Sequence, residues 1–86
     1  MIVIIEFVGT MRRVTGAKKY NISLEEKATM LTLIHKLKEE FLTVKELDQS
    51  NMLFLVNGKE IGMLNGLQTE LRTNDIVTLI PISHGG

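Results

Sequence analysis

The chain has no cysteine among its 86 residues. That excludes disulfides, thiolate nucleophiles and Cys-based metal sites, and it fits a reducing compartment. Net charge of either sign is also missing, because Lys plus Arg equals Asp plus Glu. A nucleic-acid-binding protein is expected to carry a basic excess, so no nucleic-acid partner is expected. No apolar run reaches the length of a membrane span, and the start, Met1-Ile2-Val3-Ile4-Ile5-Glu6, lacks the basic region of a signal peptide. The expectation is a cytoplasmic protein with no membrane contact and an unprocessed N-terminus. Catalytic constellations are scarce as well. His35 and His84 stand far apart, and without cysteine they do not suggest a metal site. There is no Ser-His-Asp order, phosphate loop or Gly-rich nucleotide fingerprint. No bound cofactor or metal is expected, and the chain is not expected to be an enzyme by itself.

What is present is enough for one packed domain. Hydrophobic residues make up 44% of the chain, with a single proline and three phenylalanines. No internal repeat, linker or low-complexity segment interrupts it. Ile2 to Val8 is rich in β-branched residues and predicts a strand. Glu6 marks its outward parity, so Val3, Ile5 and Phe7 face the core. Gly9 to Gly16 reads as a loop, and Lys19 to Leu24 as a second strand completing a hairpin. Arg12-Arg13 and Lys18-Lys19 form either a basic rim on that hairpin or, more plainly, a solvated loop.

Thr29 to Leu42 reads as the one helix, with Thr29 as its N-cap. Met30, Leu33, Ile34, Leu37 and Phe41 recur at helical spacing and form one apolar stripe. Val44 to Ser50 is charged and irregular. Asn51 to Val56 predicts a third strand. Asn57-Gly58 is a hairpin turn in which both residues want positive φ, and Lys59 to Leu64 is a short return strand weakened by Gly62. Leu67 to Leu71 connects to Thr73-Asn74-Asp75, which turns the chain into a last strand through Ile82. The order is β-β-α-β-β-β. The first and last strands are the most apolar and are placed side by side at the centre. The predicted fold is α+β, a β-grasp: a mixed sheet with one helix packed on one face. Residues 1–82 form the domain and 83–86 a flexible Gly-Gly tail.

The face away from the helix should be polar if it meets only water. Alternation instead puts Ile76, Thr78, Ile80 and Ile82 of the last strand there, with Leu53, Leu55, Ile2 and Ile4. Up to seven of these side chains are aliphatic, and such a patch marks an interface. The alternatives are a covering loop or a one-residue slip in one strand, which would flip every side chain. Beyond the patch the chain runs through Ser83-His84 into Gly85-Gly86. Two terminal glycines arise by chance in roughly one chain in 200, so the pair gains meaning only from its place. It follows a central strand, borders an apolar face and belongs to a chain with no other reactive group. Glycines lack the Cβ that would block passage through a narrow channel, which makes the carboxylate of Gly86 a candidate reactive group.

Four segments resemble the MoaD/ThiS-type β-grasp sulfur carriers, which are related to the ubiquitin-like modifiers. Phe7-Val8-Gly9-Thr10-Met11-Arg12-Arg13-Val14-Thr15-Gly16 is similar to the family's aromatic-loop-Arg-x-x-Thr-Gly pattern. Val56-Asn57-Gly58-Lys59-Glu60 is similar to its Val-Asn-Gly segment, and Leu71 to Val77 to its turn into the last strand. There Asn74 replaces the usual glycine and tolerates the same left-handed geometry. Ile80-Pro81-Ile82-Ser83-His84-Gly85-Gly86 is similar to its ending, although His84-Gly85-Gly86 is closer to the ubiquitin-related modifier that also serves tRNA thiolation.

The resemblance implies that Gly86, with Gly85, is the reacting end: it is adenylated by a ubiquitin-activating-like enzyme that uses ATP, then converted to a thiocarboxylate. It implies docking through Leu53, Leu55, Ile80, Pro81, Ile82, Ser83 and His84. The implied acceptor is the large subunit of molybdopterin synthase (MoaE-like), which receives two sulfurs for the dithiolene, or another sulfur acceptor. Two other readings stay open. One is a ubiquitin-like protein modifier joined to protein lysines, or a tRNA-thiolation carrier. The other is a non-catalytic β-grasp interaction module.

Overall fold

The computed structural model describes residues 1–41 and 51–82. Ile2–Phe7 forms β1 and Lys19–Ser23 forms β2, paired antiparallel with Val3 opposite Ile22 and Ile5 opposite Tyr20. The alternation sorts as expected: Val3, Ile5 and Phe7 are buried, and Ile2, Ile4 and Glu6 look outward. Between these strands the expected loop is instead a six-residue helix, α1, at Thr10–Thr15. Its one buried residue is Met11, too few for an apolar stripe. Gly16, left-handed at φ 76°, ends the helix by donating its N–H to the Arg12 carbonyl.

The second helix, α2, runs over Met30–Glu40 and buries Met30, Leu33, Ile34 and Leu37. Thr29 caps it as expected, its hydroxyl accepting from the Thr32 N–H at 3.4 Å. Phe41 closes the helix and meets Phe7 and Tyr20 edge to face, with ring centroids 5.6 Å and 5.0 Å away. The Tyr20 hydroxyl donates to Glu40 at 3.0 Å. That hydrogen bond, with some desolvation, raises the phenol's pKa above its ordinary value. Leu42, expected as the helix end, and the segment Val44 to Ser50 lie outside the described residues.

Met52–Val56 forms β3 and Lys59–Glu60 forms β4, joined by Asn57 and Gly58 at φ 50° and 85°. The return strand is shorter than expected. The Glu60 carboxylate accepts the Gly62 N–H and starts a 3-10 turn over Ile61–Met63, so pairing stops after two residues. The connector that follows holds a second 3-10 turn, Gly66–Gln68. It is tied to the start of α2, because Met30 N–H donates to the Thr69 carbonyl at 3.0 Å and Leu71 N–H to that of Ala28 at 2.8 Å.

Ile76–Pro81 forms β5 and completes a mixed five-stranded sheet of order β2-β1-β5-β3-β4. β5 lies in the middle, parallel to β1 and antiparallel to β3. Val77 and Leu79 are fully buried in the core with Phe7, Phe54, Leu33 and Leu37. The fold is the expected α+β β-grasp, with α2 as its main helix. Among the described residues no helix is long and apolar enough to cross a membrane.

The start of β5 is held from both sides. On one side Ile4 N–H donates to Asp75 O at 2.9 Å, and Asn74, at φ 68°, donates to Ile2 O at 2.8 Å. On the other, Asn57 Nδ2 donates to Asp75 Oδ1 and Ile76 N–H to Asn57 Oδ1, both at 2.9 Å. We predict that Asn57→Ala, which loses these two bonds and puts alanine, without asparagine's tolerance of left-handed backbone, at φ 50°, costs about 2 kcal/mol of stability. Asn57→Gly, which relieves the strain, should cost less; urea unfolding midpoints measure both. Leu79→Ala should cost about 3 kcal/mol by opening a core cavity, read in the same titration.

Candidate functional site

The site is built by the alternation of two neighbouring strands. Val77 and Leu79 of β5, and Met52, Phe54 and Val56 of β3, take the helix side and are buried. Ile76, Thr78 and Ile80, with Leu53 and Leu55, therefore occupy the open face. The antiparallel register sets Leu53 opposite Ile80 and Leu55 opposite Thr78. Ile82, the next residue of that parity, is 40% exposed, and its N–H donates to the Asn51 carbonyl at 3.0 Å. Leu53, Ile80 and Ile82 thus line the end of the open face from which the chain runs on toward residue 83, and Leu55 adjoins them.

The other aliphatic residues do not continue this patch directly. Glu6 pairs in register with Lys19 on one side and Thr78 on the other, and Leu55 pairs with both Thr78 and Glu60. One cross-sheet row therefore reads Lys19, Glu6, Thr78, Leu55, Glu60. It separates the Leu53–Ile80–Ile82 group from Ile4 and Ile76, which face each other across β1 and β5, and from Ile2 at the far end of β1. The outward parity of Glu6 was the signal for this division. Only the register showed that Thr78 and Glu60 extend it into a band.

The expected docking and reacting residues fall into three groups. Leu53, Leu55, Ile80 and Ile82 share the open face. Pro81 has the helix-side parity, is half-buried opposite Met52, and borders α1: a β-carbon at Gly9 would lie 3.9 Å from its Cδ. Ser83, His84, Gly85 and Gly86 lie outside the described residues. A shallow cleft lined by Met63, Leu64, Thr69 and Arg72 lies beside the N-terminal end of α2, where Thr69 accepts the Met30 N–H.

A comparison with curated proteins gave no match. Solved structures match over nearly the whole chain. The Haloferax volcanii HVO 2177 protein is 25% identical, with a TM-score of 0.84 over 99% of this chain and 87% of that one. A candidate molybdopterin converting factor, subunit 1, from Pyrococcus furiosus is 23% identical, with a TM-score of 0.83 over 96% and 99%. The small archaeal modifier protein 1 (SAMP1) from Methanosarcina acetivorans is 19% identical, with a TM-score of 0.81 over 99% and 96%. The last two likenesses establish the fold. The ThiS family model matches residues 5–86, through the last strand and the glycine pair, so the chain belongs to the ThiS family of ubiquitin-like β-grasp sulfur carriers.

Proposed function

We propose that this chain is a sulfur carrier whose Gly86 carboxylate is adenylated and then converted to a thiocarboxylate, and that it serves as the small subunit of a molybdopterin synthase. The observation that carries the reading is the place of β5. It is the middle strand, anchored on both edges, and it ends beside Leu53, Ile80 and Ile82. A sequence ending in Gly85-Gly86 follows directly. The likeness to a candidate molybdopterin converting factor subunit supports the pathway.

The chemistry follows from the carboxylate. With a reference pKa of roughly 3.3–3.7 it is ionised at neutral pH and resists nucleophiles. In an adenylating enzyme one of its oxygens attacks the α-phosphorus of ATP and pyrophosphate leaves. Hydrosulfide then attacks the acyl carbon and expels AMP, leaving Gly86 as a thiocarboxylate. If a protein persulfide is the donor, an acyl disulfide forms and a thiol reductant cleaves it to the same product. The apolar group on the open face supplies docking area, and glycines at 85 and 86 present no Cβ to a narrow pocket. On a substrate held by the large subunit, the thiocarboxylate sulfur attacks an electrophilic carbon and displaces an oxygen leaving group as water, forming a thioester. Water then cleaves the acyl C–S bond, which leaves a thiol on the substrate and restores the Gly86 carboxylate.

A second reading uses the same acyl-adenylate with a protein lysine amine as nucleophile, giving an isopeptide bond and releasing AMP. The likeness to SAMP1, a modifier by name, favours it. Intact-mass measurement of the chain from its native host separates the two. Replacement of one oxygen by sulfur at the C-terminus is expected for the carrier, whereas tryptic peptides of other proteins bearing residues 73–86 on a lysine, with no sulfur on the chain, would overturn it.

Deletion of Gly86 should abolish thiocarboxylate formation while changing unfolding free energy by less than about 0.5 kcal/mol. A truncated chain that still delivers sulfur would refute the assignment. Leu53→Glu, facing only Ile80 across the strands, should weaken binding to the large subunit at least about tenfold, with the fold retained by circular dichroism. Leu53 is preferred to Leu55, because a glutamate at 55 would stand directly opposite Glu60 and destabilise the sheet itself. Titration calorimetry with the purified large subunit reads the effect.

A further inference from the structure

The cations of the first hairpin are left unused by the docking patch, yet the fold brings them to the same end of the molecule. Arg12 and Arg13 lie on α1, which packs against β5 and starts beside Pro81. Phe7, level with Leu79 in the parallel register, gathers two of these cationic residues through its backbone. Its N–H donates to the Lys18 carbonyl at 2.8 Å, and its own carbonyl accepts from Arg12 Nε at 2.9 Å. The Arg12 contact fixes the plane of the guanidinium and leaves its terminal nitrogens free to donate.

Arg12, Arg13, Lys18 and Lys19 are all exposed. Lys19 has a counter-charge in register, since Glu6 stands opposite it. The other nearby carboxylate with an assigned role, Glu40, takes the Tyr20 hydroxyl. Arg12, Arg13 and Lys18 are in no ion pair with a described carboxylate. In a chain of zero net charge, this is a local cationic rim on one side of the strand end, with the apolar Leu53–Ile80–Ile82 group on the other. An apolar centre with a charged border is the usual anatomy of a specific protein interface.

We propose that Arg12, Arg13 and Lys18 form a docking rim for an acidic surface on the enzyme that activates the C-terminus, placed around the mouth of the pocket that receives the tail. The proposal rests on the adenylation reading above. Chain reach selects a protein surface over the nucleotide. The four residues after Ile82 span at most about 14 Å when extended. A tail stretched into a pocket therefore puts the reacting carboxylate, and the ATP phosphates with it, about that far beyond the rim. The rim meets the outside of the enzyme, where carboxylates are the matching chemistry, and Arg12 presents the planar fork that pairs with them. Charges at such a border act mainly on encounter rate and its salt dependence.

The test uses the full chain and the host adenylating enzyme, purified by its chain-dependent ATP–pyrophosphate exchange. The R13E/K18E double variant leaves the Arg12–Phe7 bond in place. It should lower kcat/KM for the chain about tenfold at low ionic strength, through KM for the chain, with kcat and KM for ATP unchanged. Its salt dependence should be flatter than that of the wild type. Arg12→Lys, which keeps charge but loses the fork, should give a smaller loss. Equal kcat/KM and equal salt slopes for wild type and R13E/K18E would overturn the proposal. A rise confined to KM for ATP would also overturn it, by assigning the rim to the nucleotide. If the wild-type chain supports no exchange with any host fraction, the adenylation reading itself falls and the rim proposal falls with it.

Discussion

The double pairing of β5 is the constraint on which the rest of the structure depends. A parallel partner such as β1 cannot be reached by a tight turn. Nearly the whole chain lies between Ile4 and its partner Ile76. Closing a loop that long costs only slightly more entropy than closing a shorter one, and burial of Val77 and Leu79 beneath α2 offsets it. Once β5 sits between β1 and β3, both edges of its backbone are satisfied. Asn57, Asp75 and Asn74 then set where the strand begins. Everything beyond Pro81 is thereby launched from a fixed point.

That fixed point joins two surfaces of different character. On the open face Leu53 and Ile80 are half-buried and Ile82 is exposed, which leaves apolar area that a partner can cover. On the α1 side stand Arg12, Arg13 and Lys18. Lys19, Glu6 and Thr78 form a polar row across β2, β1 and β5 that separates Ile80 from Ile4 and Ile76, while Leu55 continues the row on β3 and adjoins the apolar group. In the proposed function the chain needs little more, since the chemistry is assigned to other enzymes and the fold presents the carboxylate to them.

Much of this arrangement was legible in the residues. The stripe Met30, Leu33, Ile34, Leu37 announced α2, Thr29 its start, and Asn57-Gly58 the β3–β4 turn. The alternation in Ile2–Phe7 and Ile76–Pro81 separated core from open face correctly, because one misplaced residue would have put Phe7 or Leu79 in water. Other features were not legible. α1 spans fewer than two turns and buries only Met11, so it has no period to detect. The early end of β4 depends on a bond between Glu60 and the Gly62 N–H, a local competition that propensity does not register.

By itself, then, the sequence determined the elements with a repeating pattern, the face each residue takes and the presence of a glycine pair after a strand. These are local properties, set by the period of a helix or strand and by the backbone freedom of glycine and asparagine. The sequence also paired the hairpins and set the first and last strands side by side; the tertiary structure alone decided the register between strands and that β3 lies next to β5. That register turned seven outward aliphatics into a divided surface and brought the cations of α1 and Lys18 to the end of β5. Register is a relation between segments distant in the chain, fixed by shared hydrogen bonds and common burial, and no single segment contains it.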